Sequence, residues 1–212
     1  MTSVTDGPID LAAADLLLST TRAVRRRLDF DRPVERDVLL DCVRLAQQAP
    51  TGGNAQGWSW VIVTDPDKRS SLADIYRDAS ADYFATMTTP DKQTGRVLTS
   101  ALYLRENFHR APVHVIPCIQ GRRDEIGPSQ APAFYGSILP AAWSFCLALR
   151  ARGLGSAWTT LHLRLADRAA ELLGIPDDFI QCALLPVAYT VGTDFRPAQR
   201  PAPETIVHWD AW

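Results

Sequence analysis

From Ile9 to about Thr21 the apolar residues gather at Leu11, Leu16, Leu17 and Leu18, which predicts a helix with one apolar stripe. A second helix is predicted over Glu35 to Gln48. There Val38, Leu39, Cys42, Val43, Leu45 and Ala46 follow a 3.6-residue period, Pro33 precedes the run and Pro50 ends it. The pattern then changes. Trp58-Ser-Trp-Val-Ile-Val-Thr64 is rich in aromatic and β-branched residues and reads as a strand, with Asp65-Pro-Asp67 as the turn and cap into a helix over Lys68–Ser80. Residues 81–95 carry the least pattern. A helix follows over Arg96–Phe108, then a strand over Val113–Ile119, where Pro117 predicts an edge position or a bulge because proline has no N–H for a ladder. Gly121 to Pro132 reads as a polar loop. Phe134 to Arg152 is apolar on nearly every side, so it predicts one long central helix, stopped by Gly153-Leu-Gly155. A strand near Ala157–Leu161, a helix near Ala166–Leu173 and a strand over Gln181–Val191 complete the body. Helices and strands mix without a regular alternation, which makes the class α+β.

The pattern divides the chain into an N-terminal helix region at 1–19, a body at 20–192 and a tail at 193–212. The tail carries Pro197, Pro201 and Pro203, then Ile206-Val-His-Trp-Asp-Ala-Trp212. Two tryptophans on an extended segment predict that it docks on its own body or on a partner. At 212 residues, 46% hydrophobic and 22% charged, the chain has enough apolar content for one core without disulfide or metal staples. A formal net charge of −2 argues against a nucleic-acid partner. No apolar run approaches the roughly 20 residues of a membrane span, so no membrane partner is expected. Met1–Pro8 lacks the basic and apolar regions of a secretory signal. Cys42, Cys118, Cys146 and Cys182 show no C-x-x-C pair and sit in apolar stretches, which predicts buried, reduced thiols and a cytoplasmic protein. His109, His114, His162 and His208 lack metal-ligand spacing, so no metal site is expected.

Four stretches carry polar chemistry. Arg22-Ala-Val-Arg-Arg-Arg27 is either a solvated basic face or a site for phosphate oxygens, which the guanidinium fork suits. Ala49-Pro-Thr-Gly-Gly-Asn-Ala-Gln-Gly-Trp58 is long for a helix-to-strand connection. It gathers amide side chains and glycines that can meet a planar, hydrogen-bonding ligand. Gly153-Leu-Gly-Ser-Ala-Trp-Thr-Thr160 is either a plain turn or a close approach of backbone to ligand. Asp194-Phe-Arg-Pro-Ala-Gln-Arg-Pro201 offers Arg196 and Arg200 as further cations, or is a linker with stray charges.

Taken in order, these stretches resemble the FMN-dependent nitroreductase family, from about Thr20 to Trp212. Arg22-Ala-Val-Arg-Arg-Arg27 is similar to that family's Arg-Arg-Ser-x-Arg. Ala49-Pro-Thr-Gly-Gly-Asn-Ala-Gln-Gly-Trp58 is similar to its Ala-Pro-Ser-x-x-Asn-x-Gln-Pro-Trp. Ala23 stands where the family often has Ser, Gly57 where it has Pro, and the arginine motif aligns in two registers that exchange Arg25 and Arg26. The resemblance implies a mixed sheet flanked by helices, in an intertwined homodimer whose C-terminal tail is exchanged onto the partner, with FMN at the subunit interface. It implies that Arg22, Arg25 and Arg26 hold the phosphate and pyrimidine edge, and that Thr51, Gly52, Asn54 and Gln56 approach the ring from the partner subunit. Trp158, Thr159 and Thr160 are implied to line the N5/O4 edge through backbone groups, Arg200 and Arg196 to return to the phosphate, and Asn107 to supply a polar flavin contact.

The implied activity is reduction of nitroaromatics, quinones or related electron-poor acceptors by NADH or NADPH, in a ping-pong hydride transfer through flavin N5. No catalytic side chain is needed, since the cofactor carries the chemistry. Reductive dehalogenation, flavin fragmentation and non-catalytic flavin binding are the alternatives on the same fold. Substrate-facing loops are expected at Ala81–Gln93 and Gly121–Pro132. Tyr83, Phe84 and Phe134 are open to either cleft lining or core packing.

Overall fold

The computed structural model describes residues 9–88 and 91–212; Met1–Pro8 and the pair Thr89-Pro90 lie outside the described residues. Contacts divide the chain into two units, one of Arg22–Thr193 and one formed by the N-terminal residues to Thr21 together with Asp194–Trp212.

In the smaller unit, helix α1 runs Leu11–Thr20, capped by the Asp10 carboxylate, which accepts from the Ala13 N–H at 3.1 Å. Its leucines do not form a buried stripe: Leu11, Leu16 and Leu18 are all exposed. The tail has a short 3₁₀ turn at Pro203–Thr205, and the His208 and Trp212 rings stack at 4.5 Å. Ile206, Trp209 and Trp212 are exposed.

The larger unit holds, in chain order, β1 (Leu28–Asp29), α2 (Arg36–Ala46), β2 (Trp58–Val63), α3 (Pro66–Thr86), α4 (Lys92–Asn107), β3 (Val113–Gln120), α5 (Ala131–Gly136), α6 (Leu139–Ala151), β4 (Leu154–Ser156), α7 (Ala166–Leu173), β5 (Phe179–Gln181) and β6 (Leu185–Thr190). Every pairing between these strands is antiparallel, where the resemblance implied a mixed sheet. β3 is central. It pairs with β2 from Trp58↔Ile119 to Val63↔His114, and on its other side with β6 and then β5.

That placement decides between the two expectations for Pro117: it is not at a sheet edge, but on its β5/β6 side the register slips by one residue, from Val115↔Leu185 to Cys118↔Gln181, so Pro117 sits at a bulge. The register with β2 runs through Trp60↔Pro117 unbroken, and the Pro117 carbonyl faces the opposite side, accepting from the Cys182 N–H at 2.9 Å. Carbonyl and nitrogen of one antiparallel residue point to the same neighbour. The missing donor therefore falls where the neighbouring strand changes from β6 to β5, and no ladder bond is lost.

Helices cover both faces of β3. On one, Phe145, Leu149 and Cys146 of α6 and Leu39 and Cys42 of α2 pack with Val113, Val115, Leu185 and Val187. Phe145 is fully buried, with its ring 5.2 Å from that of Trp60; burying such a side chain stabilises by about 1.5–3 kcal/mol. On the other, His114 packs on Phe108 at 4.8 Å, and Phe108 stacks on Tyr76 of α3 at 4.5 Å.

The predicted single helix Phe134–Arg152 is two helices. Pro140 enters the first turn of α6, a position proline tolerates, and Ser137-Ile138 forms the break before it. The 21-residue stretch Ala131–Ala151 is nonetheless long and apolar enough to cross a bilayer by length and composition, contrary to the expectation that no such run exists. Here Ala141, Ala142, Phe145, Cys146, Ala148 and Leu149 are buried within the fold. The strand expected at Ala157–Leu161 lies earlier, as β4, and Leu161–Leu165 is a 3₁₀ turn. The expected strand Gln181–Val191 is interrupted after Gln181 and resumes at Leu185. α3 continues to Thr86, so the first expected substrate loop is largely helical. All four cysteines are buried, and burial pushes Cys42 and Cys146 up to about 11 and Cys118 up to about 12. Such thiols stay protonated and inert.

Candidate functional site

The arginine-rich segment is laced to the sheet rather than draped over it. The Val24 N–H donates to the Ser156 carbonyl at 2.8 Å, the Arg27 Nε to the Val191 carbonyl at 2.8 Å, and Leu28 opens β1 against Thr190. Val24 is buried, and a Cβ on Gly155 would come within 2.9 Å of its Cγ2 and 2.8 Å of the Thr190 Cγ2. Gly155 is thus a packing glycine that lets the segment dock.

With Val24 anchored, its two neighbours part. The Arg26 guanidinium lies 5.6 Å from the centre of the Tyr103 ring, at the surface. Arg25 is drawn in and half-buried, its Nη1 donating to the Ser100 hydroxyl of α4 at 3.4 Å. Burial lowers the Arg25 pKa from its ordinary value, with Tyr76 and Tyr83 acting against that and the neighbouring Arg22 adding to it. None of these groups is a carboxylate. A partly desolvated cation normally has an anion beside it. Arg25 instead has two phenols and another cation, the electrostatics of a site that takes its anion from a ligand. Arg22 is exposed at the mouth of the same segment.

The second motif forms a strained loop before β2. Gly53, Asn54 and Gln56 have φ of +57°, +55° and +51°, in the left-handed region that costs a non-glycine residue of order 1 kcal/mol or more. Strain of this kind is held where surrounding bonds over-determine it, and it clusters at functional sites. The bonds here come from Ser137, the residue at the α5–α6 break. Its hydroxyl accepts the Gly52 N–H at 2.9 Å and donates to the Ala133 carbonyl at 2.8 Å, and its carbonyl accepts the Trp58 Nε1–H at 2.6 Å. The Thr51 hydroxyl accepts the Gln56 N–H at 3.2 Å, and the Gln56 side-chain amide donates to the Asn54 Oδ1 at 3.0 Å. Gly52, Asn54 and Gln56 are exposed. Ser137→Ala should lower stability by about 1 kcal/mol. It should also abolish hydrogen-exchange protection of the Gly52 amide; denaturant unfolding and exchange spectroscopy check the two effects.

Arg25 and this loop are far apart along the sheet. Ser156, beside Val24, is level with Val187 and so with Val113, whereas the loop enters at Trp58, level with Ile119. From Val113 to Ile119 is about 20 Å of strand.

Other expected residues fare differently. Thr159 commits its backbone N–H and carbonyl to Leu184, at 3.2 and 2.8 Å, and its hydroxyl to the Leu184 carbonyl at 2.6 Å. Trp158 packs against the α6 side of the core, and Thr160 precedes the 3₁₀ turn at Leu161. Asn107 uses its amide within α4 and its neighbourhood, donating to the Tyr103 carbonyl at 2.9 Å and accepting from Arg110 at 3.4 Å, so it is a helix-end residue here. Phe134 packs with Ile119, Ile138 and Ile180, while Tyr83 is exposed, edge-on to Phe84 at 5.2 Å. Arg196 and Arg200 belong to the smaller unit, where the Arg200 Nη1 donates to the Gln199 carbonyl at 3.0 Å. Ser100, Tyr76 and Ser137 carried no sequence signal of their own; each gains its role from a tertiary neighbour.

Fold and site together define an antiparallel α+β protein with a half-buried arginine, Arg25, beside one end of its sheet and a strained amide loop at the other. Residues 18–189 match the Nitroreductase family model, and the chain belongs to that family. Iodotyrosine deiodinase of Drosophila melanogaster is 27% identical over 176 residues, which cover 82% of this chain and 61% of the deiodinase. The chain therefore spans about three fifths of the length of the first curated relatives it matches. Among solved structures, a BluB-like flavoprotein from Clostridium difficile 630 superposes with a TM-score of 0.70 at 17% identity, over 95% of this chain and 99% of that one. The FMN and NADPH-dependent nitroreductase NfnB from Sphigopyxis sp. strain HMH gives 0.68 at 21% identity, over 94% and 99%. These likenesses establish the fold.

Proposed function

We propose that the chain is an FMN-dependent oxidoreductase that passes electrons from NADH or NADPH to nitroaromatics, quinones or related electron-poor small molecules. The observation that carries this reading is Arg25, half-buried with no carboxylate acting on it, in a family whose structural neighbours include an FMN-dependent enzyme. The residues fit the cofactor. Arg22 and Arg25 offer charged donors to a phosphate or to the pyrimidine edge of a flavin. The loop at Thr51, Gly52, Asn54 and Gln56 offers amides to a flat ring. Since about 20 Å of sheet separates the two in one chain, no single ring meets both, and the loop comes from a second copy. The exposed Leu11, Leu16, Ile206, Trp209 and Trp212 supply apolar surface for such a homodimer, with the tail exchanged onto the partner and Arg196 and Arg200 returning to the phosphate.

FMN held by these residues would supply two-electron transfer between nicotinamide and acceptor. The chain's own residues bind and orient. Arg25 would place positive charge beside the ring edge, and the loop of the second copy would orient the ring. The buried thiols stay out of the redox chemistry. In the overall balance NAD(P)H becomes NAD(P)+, and the acceptor gains two electrons and two protons, one of them from solvent. A single open face admits one ring at a time, so initial-rate plots at several acceptor concentrations should give parallel double-reciprocal lines. Intersecting lines would contradict the shared face.

The deiodinase relatives favour a second reading on the same site, reductive dehalogenation, in which an aryl carbon–halogen bond is replaced by carbon–hydrogen and halide leaves. Product analysis with nitroaromatic and halophenol substrates, using purified holoenzyme and both nicotinamides, separates the two. Absence of NAD(P)H oxidation with every acceptor overturns the enzymatic reading.

A further inference from the structure

β4 pairs with Tyr189 and Val187 on one side of β6, so β1 and β3, which pair with the same two residues, share its other side end to end. β1 leaves there at Asp29 and β3 enters at Val113. Between these two turns of the chain and the start of α3 lies a cavity of about 520 Å³, within the range of small-molecule sites. Its lining joins apolar Phe30, Val34 and Pro112 to the guanidinium groups of Arg32, Arg69 and Arg110, opposed by the carboxylate of Asp31. It shares no residue with the arginine motif or the amide loop. Each arginine is held in place without being neutralised. The Arg69 Nε donates to the Thr64 carbonyl at 3.1 Å, and its Nη1 to the His109 and Ala111 carbonyls at 3.1 and 2.7 Å. Among the described residues its Nη2 makes no hydrogen bond and no carboxylate pairs with it. The Arg110 guanidinium lies 5.1 Å from the centre of the Phe30 ring and meets Asp31 at 3.6 Å, longer than a charge-assisted hydrogen bond. Arg32 lies 3.4 Å from the centre of the Tyr189 ring, whose hydroxyl donates to Glu35 at 2.6 Å. The turn that carries Arg32 is itself fixed, because the Asp29 carboxylate accepts the Asp31 and Arg32 N–H groups at 3.2 and 3.3 Å.

We propose that this cavity binds an organic phosphate, with Arg32, Arg69 and Arg110 taking its oxygens and the Phe30, Val34 and Pro112 surface taking its carbon body. Guanidinium forks suit phosphate oxygens, and a dianion balances the excess of arginine over carboxylate in the lining. Ring stacks and carbonyl bonds hold the three groups before the ligand arrives, which lowers the cost of ordering them on binding. The apolar lining favours an ester over inorganic phosphate. The site stands on its own residues and does not rest on the flavin reading.

The test is calorimetric titration of phenyl phosphate into the purified chain and into Arg25→Glu, which removes the Arg25 cleft as a competing anion site. Near-ultraviolet circular dichroism verifies each fold. One saturable site per chain should remain in Arg25→Glu, with inorganic phosphate binding more weakly. Arg32→Ala combined with Arg110→Ala, both exposed positions, should weaken phenyl phosphate at least about tenfold in either background. Asp31→Asn, which removes the opposing charge, should tighten it. Loss of all binding in a folded Arg25→Glu would assign the anion to the Arg25 cleft, overturning this site and leaving the flavin reading standing. Unchanged affinity in the Arg32→Ala, Arg110→Ala chain, or a wild type that binds no phenyl phosphate, also overturns it. Binding that survives Arg25→Glu and fails in the double variant upholds the site whether or not the chain holds FMN.

Discussion

Arg25→Glu should abolish FMN binding at micromolar protein. A hydrogen bond to a charged group is worth about 1.5–3 kcal/mol. Its loss alone weakens binding by about 10- to 150-fold, at 1.4 kcal/mol per decade. Reversal adds repulsion between the new carboxylate and the phosphate at a half-buried position. The expected dissociation constant is therefore at least about 100-fold above wild type. Arg26→Glu is the internal comparison. Arg26 lies at the surface over Tyr103, so the same charge change there should weaken binding far less. Equal effects at the two positions would mean that only the net charge of the segment matters, and that anchoring by Val24 selects nothing. Fluorescence titration of FMN with each purified variant reads the difference.

The second large effect concerns the separation between Arg25 and the loop. If each ring is held by Arg25 of one copy and by the loop of another, two inactive variants can restore each other. Gly52→Asp puts a carboxylate in the loop at a position with ordinary backbone and room for a Cβ, whose nearest foreign atom would be the Ser137 hydroxyl at 3.5 Å. Alone, Arg25→Glu and Gly52→Asp should each leave no tight FMN site. In a particle with one chain of each kind, one site has both defects and the other has neither. Differently tagged chains, expressed together and purified through both tags, should hold one tightly bound FMN per two chains. No tight site in the mixed particle would place both groups in the site of a single chain.

How much of this was legible in the sequence differs by element. α2 was legible because it buries one face at Leu39, Cys42 and Ala46, which periodicity reports directly, and β2 because its aromatic and β-branched residues suit a strand. The break between α5 and α6 was not, since the apolar pattern runs through it. It depends on Pro140 and on Ser137 being claimed by the Gly52 loop some 85 positions away in the chain. Pro117 was legible as an edge or bulge position, and only the one-residue slip between β6 and β5 beside it shows which of the two it is. At the site, the arginine and amide motifs were visible as composition. The choice between Arg25 and Arg26 needed the buried side chain of Val24, and Asn107 bonds within its own helix whereas Thr159 bonds to Leu184, 25 positions on. Tyr76 reads in sequence as one more apolar position of a helix. Only the stack on Phe108 distinguishes it.

The central claim is that the cleft at Arg25 holds FMN, and the most direct measurement is a titration of purified, flavin-stripped wild-type chain into FMN, followed by quenching of flavin fluorescence. The account predicts saturation at one FMN per chain with a dissociation constant of about 1 μM or tighter, equivalent to about 8 kcal/mol. Fluorescence that stays unquenched when folded protein is in large excess over FMN would contradict it.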